Sequence, residues 1–226
     1  MITGNFYVGL DLGQAADYTA VSVIESVEGM YQVRHLQRFR IGTPYPDVVA
    51  QVQKMMAELP NAHLVVDNTG VGRPVVDLFR ITGIPLVPVT ITGGNTATQD
   101  KGVWSVPKRD LVGALAVAFQ TGNLKIAEAL PEAKVLIDEL LNFKVKINLK
   151  TAHDSYEAWR EGQHDDLVLS VALALWYARQ NSDGRTSFEE PWSFGGPSDD
   201  NDWQFGGMVR PSNNSSRRRV DVSKYM

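Results

Sequence analysis

Acidic side chains carry the chemistry open to this sequence. Asp11 lies in "FYVGLDLGQAADYTAVSVIE", among Tyr7, Val8, Gly9, Leu10 and Leu12, a run that reads as a strand covered on both faces. An unpaired carboxylate there costs several kcal/mol, so something must compensate its charge. Asp67 ends the apolar run "AHLVVD", and Asp165 and Asp166 open the helical pattern "HDDLVLSVALALWYARQ". If the strands carrying Asp11 and Asp67 are neighbours and the helix packs across them, these carboxylates meet at one edge of a sheet. Carboxylates that meet cannot all stay ionised without a cation. Oxygen ligands alone select hard ions, so Mg²⁺ or Mn²⁺ is expected, as a pair of ions. Two ions about 3.5–4 Å apart suit in-line phosphodiester hydrolysis, which needs no nucleophilic side chain. The chain has no cysteine and no convincing Ser/His/Asp arrangement.

Each acid also has an ordinary use. Asp11 could pair with a buried Arg, Asp67 could end a strand before the "NTG" turn, and Asp165 or Asp166 could cap the helix. Asp166 leads a face with Leu169, Ser170 and Leu173, and Asp165 one with Val168, Leu169 and Ala172, so helical spacing does not choose between them. The chemical reading rests on the combination and order of the four acids. His164, just before them, could orient a water or move a proton, or could be a polar turn residue; His153 is a weaker candidate.

The elements that must position these acids are legible as periodic patterns. After the first strand, "YTAVSVIESVEGMYQVRHLQRFR" reads as two strands around a tight turn at Glu28 and Gly29, with Val21, Val23, Val33 and Leu36 inward. "YPDVVAQVQKMMAELP" carries a helical stripe ended by Pro60. A strand ending at Asp67 follows, then a helix between Pro74 and Gly83, then the strand "IPLVPVTIT". The order β-β-β-α-β-α-β predicts an α/β fold: a mixed sheet of three antiparallel strands and then parallel ones, flanked by helices. "GGNTATQDKGVWS" reads as a mobile surface loop before a helix starting near Pro107. "PEAKVLIDELLNF" is helical, while "KVKINLK" and "SYEAWRE" read as an extra β-hairpin before the last helix. Residues 1–181 form the expected domain; residues 182–226, rich in Gly, Ser, Asn, Asp, Pro and Arg, read as a flexible tail.

Bulk properties narrow the field further. The chain has 226 residues, 43% of them hydrophobic, enough for one sizeable domain with a real core. A formal net charge of −4 excludes a uniformly basic coat, so any DNA contact must be a local patch. No apolar run has the length of a membrane span and no secretory signal is evident, which makes a cytoplasm the expected location.

Four stretches, "GLDLGQAADYTAVSVIE", "LVVDNTGVGRPVVDLF", "VWSVPKRDLVGAL" and "HDDLVLSVALALW", resemble the nuclease domain of tailed-phage large terminase subunits over roughly residues 6–179. The resemblance implies an RNase H-like fold, with Asp11, Asp67 and Asp166 as a metal-binding triad and Asp165 a nearby fourth carboxylate. It further implies cutting of concatemeric double-stranded viral DNA in an infected bacterial cell. Partners implied are an ATPase domain of the same motor, the portal or procapsid and a small terminase subunit. No G-x-x-x-x-G-K-[ST] sequence occurs, so an isolated nuclease domain without ATP hydrolysis is expected.

Candidate DNA contacts are Lys101, Lys108 and Arg109 around the glycine-containing loop, Arg73 beside the "TGVG" turn, and Lys144 and Lys146 on one face of the hairpin. The lysines of "KVKINLK" equally suit a solvated edge strand. The tail's Arg217, Arg218 and Arg219 could add nonspecific affinity. Nothing resembles a base-reading helix, so weak sequence specificity is expected. Beside a catalytically dead RNase H-like domain serving as a DNA-binding or docking module, two rival readings exist: an actin-like or sugar-kinase-like nucleotide-binding protein, whose phosphate-gripping hairpin the first stretch also resembles, and a Holliday-junction resolvase. The former leaves "HDDLV" unexplained, and the latter requires a four-way junction as substrate.

Overall fold

A strand that is apolar on both faces has to lie inside a sheet covered from both sides, and β1 (Asn5–Asp11) does so. The structure, a computed structural model, describes residues 4–13, 17–147 and 165–182. β1 pairs antiparallel with β2 (Ala20–Val27), which pairs antiparallel with β3 (Met30–Arg38) through a two-residue turn in which Glu28 and Gly29 both have positive φ. Helix α1 (Tyr45–Glu58) then leads to β4 (Ala62–Asp67), which lies parallel to β1 on its other side. Helix α2 (Gly72–Ile81) connects to β5 (Leu86–Thr92), again parallel to its neighbour.

Beyond β5 the chain departs from the expected loop. Residues 98–107 form the hairpin of β6 (Thr98–Asp100) and β7 (Val103–Pro107), with Lys101 and Gly102 at positive φ in the turn. β6 is wholly exposed, so its composition is that of a loop even though its backbone is paired. After α3 (Lys108–Gln120), a three-residue strand β8 (Leu124–Ile126) adds parallel to β3, an element too short to show a period. The eight strands run in the order β6-β7-β5-β4-β1-β2-β3-β8. Helix α4 (Ala133–Ile147) continues through Lys144 and Lys146, which therefore lie on its last turns and not on a strand. The reason is that K-V-K-I satisfies both periods, and the stripe begun at Ala133, Leu136 and Leu140 extends the helix. The second half of the expected hairpin, His153, His164 and residues 183–226 of the tail lie outside the described residues. Helix α5 (Asp166–Ser182) closes the described chain.

The sheet separates two apolar layers. Val8, Leu10, Val21, Val23, Leu64 and Val66 pack against α1 and α2. Tyr7, Val33, Leu36 and Val65 face the opposite layer, with α3, α4 and α5. Because strand side chains alternate, Asp11 shares the face of Tyr7, and Asp67 that of Val65; both acids face the α5 layer. Leu167, Val168, Val171, Leu173 and Leu175 of α5 are almost fully buried, each contributing roughly 1.5–3 kcal/mol of hydrophobic stabilisation. A Cβ added to Gly9 would lie 1.9 Å from the Ser170 carbonyl oxygen, so only glycine lets α5 approach β1 this closely.

This contact predicts a contrast between two glycines. Gly9→Ala should lose at least about 1–3 kcal/mol through overpacking. Gly113→Ala, inside α3 with nothing within 4 Å of the added Cβ, should gain about 0.5–1 kcal/mol. Thermal unfolding of the two variants checks both signs; an unchanged melting temperature in Gly9→Ala would contradict the close approach.

Candidate active site

Asp11 is the last residue of β1 and Asp67 the last of β4, and these strands are parallel neighbours with Leu10 opposite Val66. Neighbouring strands lie roughly 4.8 Å apart, so the two acids leave the sheet side by side at one edge. The chain after Asp67 is tied down at once. Thr69 N–H donates to Asp67 Oδ1 (2.8 Å), Asn68 N–H to the Val89 carbonyl (2.7 Å) and Ile91 N–H to Thr69 Oγ1 (3.0 Å). The ordinary turn-forming use of Asp67 is thus real, and it orients the carboxylate. Gly72 then starts α2 directly over Asp67, where a Cβ would meet the Asp67 carbonyl oxygen at 2.1 Å. After Asp11, Gly13 N–H donates to Thr19 Oγ1 (3.1 Å) and the Tyr45 hydroxyl donates to the Gly13 carbonyl (2.9 Å).

Helix α5 brings the other two acids to the same edge. Leu169 N–H donates to the Asp165 carbonyl (2.9 Å), the first bond of the helix. The next orphan donors, Leu167 N–H and Val168 N–H, go to Glu139 Oε2 on α4, at 3.0 and 3.1 Å. Capping of these two groups is therefore supplied from another helix. Asp165 Oδ2 lies 4.0 Å from Lys108 Nζ, and Asp166 is buried.

The electrostatics show how close the acids are. The carboxyl of Asp11 is held well above the usual range, first by burial and then by the charges of Asp67, Asp166 and Asp165, with the Lys108 ammonium opposing them. Burial and, more weakly, Asp166 push Glu139 up to about 8 against the pull of the Val168 N–H, Arg38 and the Leu167 N–H. Among the described residues, no three acidic or histidine side chains already enclose a point where an ion would sit. The structure thus brings together an acidic edge, not a finished ligand shell.

The basic candidates divide. Lys108 sits within the acidic edge, and Arg73 is exposed in the first turn of α2, next to Gly72. Arg109 is engaged with Asn95, through its side-chain oxygen at 3.1 Å and its carbonyl, and with Asp110, so it holds the β5–β6 connection. Lys101 lies at the other end of the sheet, lining a hollow with Arg80, Pro85 and Leu86 where β5 begins. Lys144 and Lys146 stand on α4, as described above.

Two site residues escaped the sequence reading. Glu139 is buried on α4; the available signal was an acid on the apolar stripe, three residues after Leu136 and one before Leu140. Arg38 ends β3, opposite Ala20, which in turn pairs with Asp11. Its guanidinium lies over the Tyr18 ring and 3.2 Å from Glu132, and its Nε is buried with no hydrogen-bond partner.

Comparison with known proteins agrees with this architecture. The chain is similar to the large terminase nuclease from thermophilic phage G20c in its magnesium-bound form, with 26% identity, 77% of this chain and 82% of that chain covered, and a TM-score of 0.54. For the zinc-bound form the values are 26%, 76% and 80%, with a TM-score of 0.52. The large terminase nuclease domain of Thermus phage P74-26 shares the fold at 24% identity, over 76% of this chain and 78% of that chain, with a TM-score of 0.51. No curated protein matches. The model of the terminase RNase H-like domain matches residues 8–178, and the chain belongs to that family.

Proposed function

We propose that this chain is a divalent-metal-dependent endodeoxyribonuclease that cuts double-stranded, concatemeric viral DNA during phage genome packaging. The observation that carries the reading is the gathering of Asp11, Asp67, Asp165 and Asp166 at one sheet edge, where burial first and then the neighbouring acids hold the Asp11 carboxyl well above its usual range. The donor set is oxygen only, which fits Mg²⁺ or Mn²⁺. The G20c structures with bound magnesium, zinc and cobalt make divalent ions the reasonable ligands for a related chain.

In this reading Asp11, Asp67 and Asp166 hold the ions, and Asp165 adds a fourth carboxylate restrained by Lys108. Two ions bound there would activate the attacking water and stabilise the leaving oxygen of the phosphodiester. The Asx turn at Asp67 and the imported cap of α5 keep the carboxylates oriented before substrate arrives. Lys108 and Arg73 approach the DNA backbone, which fits cutting with weak sequence specificity. The chain does no ATP hydrolysis of its own and works beside the ATPase, portal and small subunit of a packaging motor.

Cleavage of supercoiled plasmid tests the central claim. With Mg²⁺ or Mn²⁺ the protein should nick and linearise the plasmid, EDTA should abolish cutting, and Asp11→Asn or Asp166→Asn should reduce it about 100-fold or more, since even residues behind metal ligands are worth 10–100-fold. Equal cutting by the variants would refute the assignment.

Metal-free stability should depend on pH in a stated direction. Asp11 and Glu139 bind protons more tightly folded than unfolded, so their contribution is complete below the unfolded carboxyl range near about 4 and is lost as pH rises through the folded values, about 8 for Glu139. The melting temperature in EDTA should therefore fall between about pH 5 and 8, and saturating Mn²⁺ should raise it and flatten the profile. A flat profile in EDTA, with no response to Mn²⁺, would count against a cation site here.

DNA binding gives a third check, made on the Asp11→Asn background in EDTA. Lys108→Ala should weaken duplex binding regardless of sequence and reduce the salt slope by about 1, whereas Lys101→Ala, at the far end of the sheet, should change neither. The reverse pattern would place the DNA on the other edge.

A further inference from the structure

The first N–H groups of a helix need acceptors, and the usual acceptor is the side chain of the helix's own cap residue. Asp165 occupies that position in α5, yet the Leu167 and Val168 N–H groups are taken by Glu139 Oε2, from a residue 28 and 29 positions earlier in the chain. The arrangement has a cost that a cap serving stability alone would avoid. Glu139 is 6% exposed, so its carboxyl has lost its water, and it lies near enough to Asp166 to feel its charge. A serine or threonine at position 165 would satisfy the same donors without either penalty.

We propose that Glu139 is a positioning residue for the carboxylates of Asp165 and Asp166: it anchors the start of α5 to α4 and so sets where both acids stand. This rests on the metal-dependent reading given above. Leu136 and Leu140, buried on the same stripe of α4, keep that face of the helix against the core. The two bonds to consecutive N–H groups then set both the axial position and the rotation of the first turn of α5. Asp166 is the first residue of that turn, and the Asp165 carboxylate beside it lies 4.0 Å from Lys108 Nζ.

The test is Mn²⁺ binding by calorimetry at fixed pH, with metal-free thermal unfolding in parallel, on the whole chain and its Glu139→Ala, Glu139→Asp and Glu139→Gln variants. Glu139→Ala should bind Mn²⁺ about tenfold or more weakly, the usual consequence of losing a group that orients a ligand. Glu139→Gln, whose amide oxygen accepts at the same reach, should stay within about threefold of the parent. Glu139→Asp, one methylene short, should weaken binding like alanine, and it carries the prediction if Glu139→Ala does not fold. Unchanged Mn²⁺ affinity in a destabilised alanine or aspartate variant would overturn the proposal and leave Glu139 a structural cap. Equal losses in Glu139→Gln and Glu139→Ala would also overturn it, by making charge and not cap geometry the cause. A parent chain that takes up no Mn²⁺ would instead refute the metal-dependent reading, and this one with it.

Discussion

Bringing Asp11, Asp67, Asp165 and Asp166 to one edge of a sheet costs free energy, because each carboxylate loses water and gains neighbours of its own sign. The raised carboxyl of Asp11 expresses that cost directly. The elements that carry these groups resist their tendency to separate. β1 and β4 do so through a parallel ladder that ends where the acids begin, and α5 does so by lying across β1 at Gly9. The force that holds α5 there is burial: its apolar residues are covered on nearly every side, with a summed stabilisation far larger than the repulsion at its tip.

The C-terminal half of α5 contributes to the same anchoring. Tyr7 stacks on His63, Tyr177 meets both rings edge-on, and Trp176 packs edge-to-face with Trp104 of β7. These contacts tie the C-terminal half of α5 to β1, β4 and β7, so the helix is fixed at both ends and cannot pivot away from the acids. The polar devices at the acidic end have a different task. The Asx turn of Asp67 and the Glu139 bonds to α5 engage backbone donors near the site, so a hydrogen bond orients the Asp67 carboxylate and two more fix the start of α5.

Much of this was readable from local patterns. Apolar runs and turn residues identified β1 to β5; α1, α2 and α5 were read close to their observed positions, and α3 starts near Pro107 as expected. The same reasoning failed where local patterns are ambiguous or short. The β6 strand has the composition of a loop because both its faces meet water, β8 is only three residues long, and K-V-K-I alternates like a strand while lying on a helix. In the last case the deciding factor was the apolar stripe upstream, which carries the helix past the ambiguous residues.

The sequence by itself determined which residue types could form the acidic edge and the order in which the strands and helices would present them. It did so because strand and helix periods, and the oddity of Asp11 in an apolar run, are local properties. Tertiary structure alone decided which cations accompany the acids. The parallel pairing of β7 with β5 carries Lys108 to the acidic end and Lys101 to the opposite one, although the two are seven positions apart. It also decided that Glu139 reaches the start of α5, since that contact depends on how two helices pack across a long stretch of intervening chain. Sequence spacing bears no information on such a contact; only the shape of the packed core does.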